Sequence, residues 1–436
     1  MIEAIPQTKW HENLRFLLAH FIPYYLSGIF IRCRFFSGLF RRLHIHPFHP
    51  RFFVRLQAKY ATDSLYVSLL GRRILLLFNP ADVQVVLEHS PAIFAEPDSK
   101  QRGMGHFQPE ALTISRGNAW QKRRRFNEAA LDTPLPVHRA ADIMLQRISA
   151  LMPASGPRNW PDFSQMFDDI ALTVVFGQVT AENKAALRDL YTLMGDANRL
   201  FWLKPSTRQA ALEALIRKHM HQPPAGCLLS MMPPSPNDPQ VKPARQAPHW
   251  LFALGDTLSI NVMRALMLIV SDDDIYQRVC SEISQHDIRN ATGIADMTLL
   301  DGCLQEAMRL WPTTPVLARK SIRRATIAGT EVAAGTEVMI LNNVLHRNTR
   351  IAEDANLFRP ERWTKQIPTY TYNAMSDGTQ GCAGRHLALL LGKFVLAQLL
   401  TRWDYSRPFP SVKPGKHVPY IHNHFEQLFT TGQRHD

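Results

Sequence analysis

Between residues 65 and 95 the spacing of apolar positions changes period. Leu65 to Leu70 and Ile74 to Phe78 read as two short strands separated by a turn at Gly71, and Asn79-Pro80 then opens a helix through Val85 and Val86. From about Ala119 to Ile283 the spacing is helical, with Ile143, Leu145, Ile148 and Leu151 in one set and Ile170, Leu172, Val175 and Phe176 in another. Eight prolines between Pro223 and Pro248 interrupt it. Proline fixes φ and lacks an N–H, so residues 223–248 read as a long surface connection. Mainly α structure with small β-sheets is the expected class.

The most apolar N-terminal stretch, Phe16 to Ile31, contains His20 and Pro23 and is followed by Arg32, Arg34, Arg41 and Arg42. It falls short of the roughly 20 apolar residues that span a bilayer. It lacks a small-residue cleavage site, so the expectation is a packing segment or a peripheral contact with anionic lipid, not a secretory signal.

The chain has 436 residues, 45% apolar and 20% charged, the proportions of a compact globular protein. That length allows more than one domain. The expectation is nevertheless an N-terminal segment, 1–60, and one integrated catalytic domain, 61–436, with the proline-rich interval as a loop inside it. Fifty basic side chains against thirty-seven acidic ones leave +13, which suits an acidic partner, an anionic membrane or a nucleic acid. The charge is spread along the chain without a recognition motif, which argues against nucleic acid. Five cysteines, odd in number and without a C-x-x-C pair, argue against a disulfide framework and a cysteine-rich zinc site and point to a reducing compartment.

One cysteine carries chemistry. In Met375-Ser376-Asp377-Gly378-Thr379-Gln380-Gly381-Cys382-Ala383-Gly384-Arg385-His386, Cys382 sits in a glycine-punctuated loop just before a long apolar helix. Surrounding N–H groups and the positive helix end favour the thiolate, the form that binds iron or attacks electrophiles. A lone cysteine is more often a small core residue. Upstream, Glu306 and Arg309 are three apart on one helical face and are followed by Trp311-Pro312, while Pro360-Glu361-Arg362-Trp363 supplies a further arginine.

This order of motifs resembles the cytochrome P450 family of haem-thiolate monooxygenases, over roughly residues 65 to 400, with only the C-terminal motifs individually specific. The resemblance implies a P450-like fold and haem b held by a Cys382 thiolate. Glu306, Arg309 and Arg362 match the buried network that fixes the cysteine loop. Asp256 and Thr257, in Phe252-Ala253-Leu254-Gly255-Asp256-Thr257-Leu258, match the acid–alcohol pair that moves protons; taken alone, such a pair is a cap or a back-bonded helix residue. Trp120 and Arg124 match the W-x-x-x-R motif that meets a haem propionate. Arg319 matches a second propionate arginine, with Lys320, Arg323 and Arg324 as neighbouring alternatives, and His106 is a further propionate donor or an ordinary loop histidine. Three positions depart from the pattern: Leu254 where glycine is usual, Met375 for phenylalanine, and Gln380 for a basic residue.

The resemblance further implies oxidation of a lipophilic small molecule, by hydroxylation, epoxidation, desaturation or coupling, in secondary metabolism. Ala253, Leu254, residues 99–112 and 314–317 would line the pocket, and Phe201 and Trp202 would lie over its entrance. No fused reductase segment is present, so electrons would come from a separate ferredoxin or flavodoxin with its reductase, steered by Lys122, Arg123, Arg125, Arg385 and Lys393. The implied location is cytoplasmic, with membrane association left open. A peroxide-driven haem-thiolate enzyme and a non-catalytic haem-binding sensor or carrier are the alternative readings.

Overall fold

A computed structural model of the chain describes residues 5–199, 206–234 and 238–434. Phe201 and Trp202 lie outside the described residues. The N-terminal β region forms as its pattern predicts: β1 (Ser64–Leu69) and β2 (Arg72–Leu77) pair antiparallel, Leu65 opposite Leu76 and Val67 opposite Ile74. β1 stops one residue before the expected Leu70. Leu70 and Gly71 form the turn, both with positive φ (49° and 79°), which is what a two-residue hairpin loop of the matching twist requires. Asn79 then caps the helix Pro80–Glu88, its side-chain oxygen accepting from Ala81 N at 2.8 Å.

The remaining strands are β3 (Phe94–Ala95), β4 (Val316–Ser321), β5 (Ala325–Ile327), β6 (Thr330–Val332), β7 (Glu337–Leu341), β8 (Trp403–Phe409) and β9 (Leu428–Gln433). One sheet has the order β1-β2-β7-β4-β3, in which β2 and β7 run parallel; β5–β6 and β8–β9 are separate antiparallel pairs. Strands from early and late in the chain therefore share one sheet. Phe16, Phe48, Phe52 and Phe53 pack under it against Leu65, Val67, Ile74 and Leu76.

Helices fill the middle, as expected, but their buried faces refine the reading. Ile170, Leu172, Val175 and Phe176 are all buried in the helix Trp160–Phe176. In the helix Ala141–Leu151 the buried face is Ala141, Met144, Leu145 and Ile148, leaving Ile143 and Leu151 exposed. That face follows the i, i+3, i+4, i+7 spacing from Ala141, not from Ile143.

The proline-rich interval is a connection with short 3-10 turns at Leu228–Met231 and Pro243–Arg245, but it ends before Pro248. Pro248 stands in the first turn of the helix Ala247–Phe252, where its missing N–H breaks no hydrogen bond. This distal helix continues through a π-helical segment, Ala253–Leu258, into Ser259–Val270. Pro243–Val270 is long and apolar enough to cross a membrane, yet most of it is buried inside the protein, and every residue from Ser259 to Val270 is buried. An all-round apolar helix of this kind is the core of a large domain. The helix Arg385–Arg402 crosses it at Gly392, where an added Cβ would lie 2.6 Å from Leu304 and 3.3 Å from Leu258.

Candidate active site

Glu306 and Arg309, both fully buried, occupy the last turns of the helix Thr298–Leu310. Arg309 grips Glu306 with two parallel bonds, Nε to Oε2 at 2.7 Å and Nη2 to Oε1 at 2.6 Å, the fork geometry that makes guanidinium the matching partner of a buried carboxylate. Glu306 also accepts from Trp363 Nε1 at 2.9 Å and from the Arg359 backbone at 3.1 Å, with Arg362 Nε at 3.5 Å. Arg362 leans more on Asp354, at 2.8 Å. Arg309 spends its remaining donors on the carbonyls of His346 and Ala355, both at 2.7 Å, and of Leu357 at 3.1 Å.

The network reaches the cysteine loop through a residue the motifs did not single out. His346 is fully buried; its Nε2 accepts from Asn373 N at 2.7 Å. That assigns the proton to Nδ1, which faces the Arg309 carbonyl at 3.2 Å. Burial, with the Arg309 charge beside it, lowers the His346 pKa to about 3. Two residues beyond Asn373, the Met375 carbonyl accepts from Cys382 N at 3.0 Å. Glu306, Arg309, His346, Asn373 and Met375 thus form a relay of contacts ending at the cysteine backbone.

Cys382 is exposed by surface area, while surrounding protein pushes its thiol pKa up by desolvation; the Gly384 backbone, Arg385 and Arg124 pull the other way. The thiol is thus accessible yet closely surrounded by protein. Arg385 braces the loop through the Ser376 carbonyl at 2.8 Å and Asp377 at 3.1 Å. Thr379 donates to the Ser90 carbonyl, and at Gly378 (φ 64°) a Cβ would lie 2.6 Å from the Leu87 carbonyl. Glycine is required there by both conformation and space.

Around this loop Arg124 donates to Gly381 O and to Glu128, each at 2.6 Å, and Trp120 is half-buried one turn earlier. Arg319 is buried and committed to Glu96 at 3.0 Å and Ser90 Oγ at 3.2 Å. His106 Nε2, Arg116 Nε and Gln380 Oε1 are buried without a protein hydrogen-bond partner. Arg116, which caps the Trp120 helix, was not singled out from the sequence. A single accessible thiol suits a porphyrin-held iron, which needs one protein ligand. Unpartnered donors on His106 and Arg116 suit its anionic propionates, so the donor set fits haem.

On the distal helix, Asp256 and Thr257 lie within the π-helical segment, a local widening often found at functional sites. Ser259, not Thr257, makes the helix back-bond, donating to Asp256 O at 2.7 Å. The displaced glycine has a physical reason. Tyr191 OH donates to Asp168 at 2.6 Å, and this pair presses on the helix where a Cβ at residue 255 would lie 2.3 Å from the Tyr191 oxygen and 3.3 Å from Asp168. Burial raises Asp256 to about 7; Arg32 and Arg264 oppose the rise, while Asp168 adds to it.

Two of the cations expected to face a partner do not. Arg123 is buried and bonded to Ser115, Glu110 and the Gln240 carbonyl; Lys393 is buried against the Ala295 carbonyl and Asp301. Arg125 is exposed, and Lys122 and Arg385 are half-buried in pairs with Asp238 and Asp377. The cleft of about 890 Å³ lined by Arg125, Asp132, Pro134, Arg139 and Met231 opens at the surface and includes neither Asp256 nor Thr257.

A family profile described as Cytochrome P450 matches residues 244–419. Aromatase of Oryctolagus cuniculus is 28% identical over 158 residues, 35% of this chain and 31% of that protein. A probable cytochrome P450 4s3 of Drosophila melanogaster is 28% identical over 159 residues, 36% of this chain and 32% of its own length. Cytochrome P450 4V2 of Rattus norvegicus is 27% identical over 160 residues, 35% of this chain and 30% of its own length. The chain spans about a third of the length of each of these relatives, and the residues matched by the family profile include Glu306, Arg309 and the Cys382 loop. Over residues 244–419 the chain is similar to the cytochrome P450 family.

Proposed function

We propose that the chain is a haem-thiolate monooxygenase that oxidises a lipophilic small molecule with O2 and electrons from a separate redox protein. One observation carries this reading: an accessible Cys382 whose loop is tied, through Asn373 and His346, to the fully buried Glu306–Arg309 pair. Cys382 would hold haem b as its thiolate ligand, and Trp120, Arg124, His106 and Arg319 would meet its propionates, Arg319 from its pair with Glu96. Bound haem supplies oxygen activation, favoured by electron density from the thiolate.

The chain's own residues do the rest. The relay from Glu306 to Met375 fixes the Cys382 backbone, so the sulfur is held before any ligand arrives. Asp256 gains or loses a proton near neutral pH, and the Thr257 hydroxyl, one residue on, is the next group that can pass it. Leu254 and Phe107 supply apolar wall and limit water.

Our reading of the partner is an acidic ferredoxin or flavodoxin, steered by Arg125 with Lys122 and Arg385, and our reading of the setting is cytoplasmic secondary metabolism. The N-terminal helical run supports peripheral lipid contact: Trp10, Leu14, Leu18 and Ile22, four residues apart, are all exposed, and Phe35 and Leu43 extend the apolar surface beside Arg41 and Arg42. The test of the central reading is a carbon monoxide spectrum of the reduced protein. A thiolate-type Soret band that Cys382→Ser abolishes supports it; a protein purified from haem-replete cells that binds no haem overturns it.

A further inference from the structure

Asp168 and Tyr191, both half-buried, are titratable groups to which the reading above gives no chemical part. Asp168 stands on the helix Trp160–Phe176 and Tyr191 on the helix Ala181–Ala197, and the Tyr191 hydroxyl donates to Asp168 Oδ1 at 2.6 Å. Among the described residues Asp168 makes no ion pair; Lys184 goes instead to the neighbouring Asp169, at 2.8 Å. A hydroxyl both donates and accepts. The short bond can therefore run either way, from Tyr191 to an ionised Asp168 or from a protonated Asp168 to the Tyr191 oxygen.

This bond ends against the distal helix. Gly255 has no Cβ, and the Tyr191 oxygen fills the space where one would be, with Asp168 Oδ1 3.3 Å from the same point. Consecutive Cα atoms are about 3.8 Å apart, so the hydroxyl lies within about 8 Å of the Asp256 Cα. An aspartate side chain and one bridging water cover that span. Among the described residues the Asp256 carboxyl and the Thr257 hydroxyl, both in the π-helical segment, make no protein hydrogen bond. Three helices thus bring two carboxyls and a hydroxyl to one place, with the inner carboxyl uncommitted.

The surrounding groups set a direction. Burial raises Asp168 to about 6, against the Tyr191 bond and the Lys184 charge and with the Asp169 charge. Burial raises Asp256 to about 7, against Arg32 and Arg264 and with Asp168. A proton on Asp168 therefore runs downhill to Asp256, by about tenfold, and Asp168, once ionised, helps to hold it there. Tyr191 stays protonated throughout, because burial and the charges of Asp168 and Asp256 raise it well above its ordinary value. It passes a proton without giving one up.

We infer that Asp168 and Tyr191 are the outer stage of the proton supply: Asp168 takes a proton from solvent and Tyr191 relays it to Asp256. In one transfer the Asp168 O–H breaks as a new Tyr191 O–H forms, and the former Tyr191 proton bonds to the Asp256 carboxylate, directly or across one water. The next solvent proton resets Asp168. The inference rests on the proton role read for Asp256 and supplies the route by which that acid is recharged. Both groups act through Asp256, not on the reacting atoms.

The test is time-resolved infrared spectroscopy of the full-length protein after a light-triggered proton pulse, begun above the Asp256 value of about 7 and following the C=O band of protonated carboxyls. The band lost in Asp256→Asn identifies that acid. We expect Tyr191→Phe and Asp168→Asn each to slow its protonation by at least about tenfold. A pair that only braces the helix would change stability and leave this rate alone. An Asp256 midpoint still well above the ordinary carboxylate range shows that a variant keeps the folded site; where one variant loses it, the other decides. Slowed arrival supports the relay, and unchanged arrival in either folded variant overturns it, as does the lack of any band assignable to Asp256. The carbon monoxide spectrum of the same preparation judges the haem reading separately: a working relay without a thiolate-haem band supports the proton route and removes the proposed chemistry.

Discussion

Replacing Glu306 by glutamine keeps the side chain's size and removes its charge. Arg309 would then be fully buried with three backbone carbonyls and no carboxylate, since the two bonds at 2.6 and 2.7 Å to Glu306 are its ionic contacts. Breaking a buried pair from one side costs about 3 to 5 kcal/mol, a large share of the roughly 5 to 15 kcal/mol that holds a domain together. We expect Glu306→Gln to lower the urea midpoint accordingly. It should also lower the haem-to-protein ratio, because Arg309 sets the His346 carbonyl and His346 sets Asn373, next to the cysteine loop. Arg309→Met should cost a similar amount, and the double variant less than the sum, by at least about 2 kcal/mol, as directly coupled groups require. A Glu306→Gln loss below about 1 kcal/mol, or strict additivity, would refute the claim that an ion pair anchors the loop.

Gly255→Ala, which in an ordinary helix gains a few tenths to about 1 kcal/mol, should here destabilise by about 1 to 3 kcal/mol, because the new methyl meets the Tyr191 oxygen. Thermal melts of Gly255→Ala in a Tyr191→Phe background, which removes that oxygen, should recover most of the loss; no recovery sinks the explanation. Asp256 is protonated below about 7 and ionised above it, so turnover limited by proton supply should fall as pH rises through that value, and Asp256→Asn should flatten the profile. Among the buried histidines, His20, His346, His422 and His424 have pKa values lowered far by burial. The unfolded chain therefore binds more protons than the folded one below about pH 6.5, and their contribution, complete above that pH, is lost as pH falls. Each gives up roughly 1.4 kcal/mol by pH 5.5. The raised carboxyls of Asp256 and Asp168 act in the opposite sense over this interval, leaving an expected net loss of a few kcal/mol. A melting temperature flat from pH 7.5 to 5.5 contradicts this.

What the sequence made legible is what local chemistry dictates. The hairpin, the Asn79 cap and the place of Glu306 beside Arg309 follow from turn residues, capping and helical spacing, and each is found where those rules put it. The misses have one cause in common. Ile143 looked like a core position because it is apolar, but which face of its helix is buried is set by the neighbouring helices. Pro248 looked like a breaker because its position in the first turn depends on where the helix begins. Arg123 and Lys393 looked like surface charges because sequence gives charge without burial.

The same limit hid half of the candidate site. His346 lies thirty-seven residues from Arg309, and nothing local marks a histidine whose partners are one carbonyl and one distant N–H. Arg32 and Arg264 are 232 residues apart in the chain, yet both reach the turn after the Glu306 helix, at the carbonyls of Thr313 and Trp311. Gly255 is the instructive intermediate case. Its offset from the usual glycine position was visible in the sequence, yet its reason was not, since the oxygen that demands it belongs to Tyr191 on another helix. A departure from a family pattern can therefore show where a chain has been remodelled before it shows by what. Here the remodelling places a Tyr191–Asp168 pair against the distal helix one residue from Asp256, where burial raises that acid's pKa toward neutrality and the Asp168 charge adds to the rise, so the pair acts on the group most exposed to the test by pH.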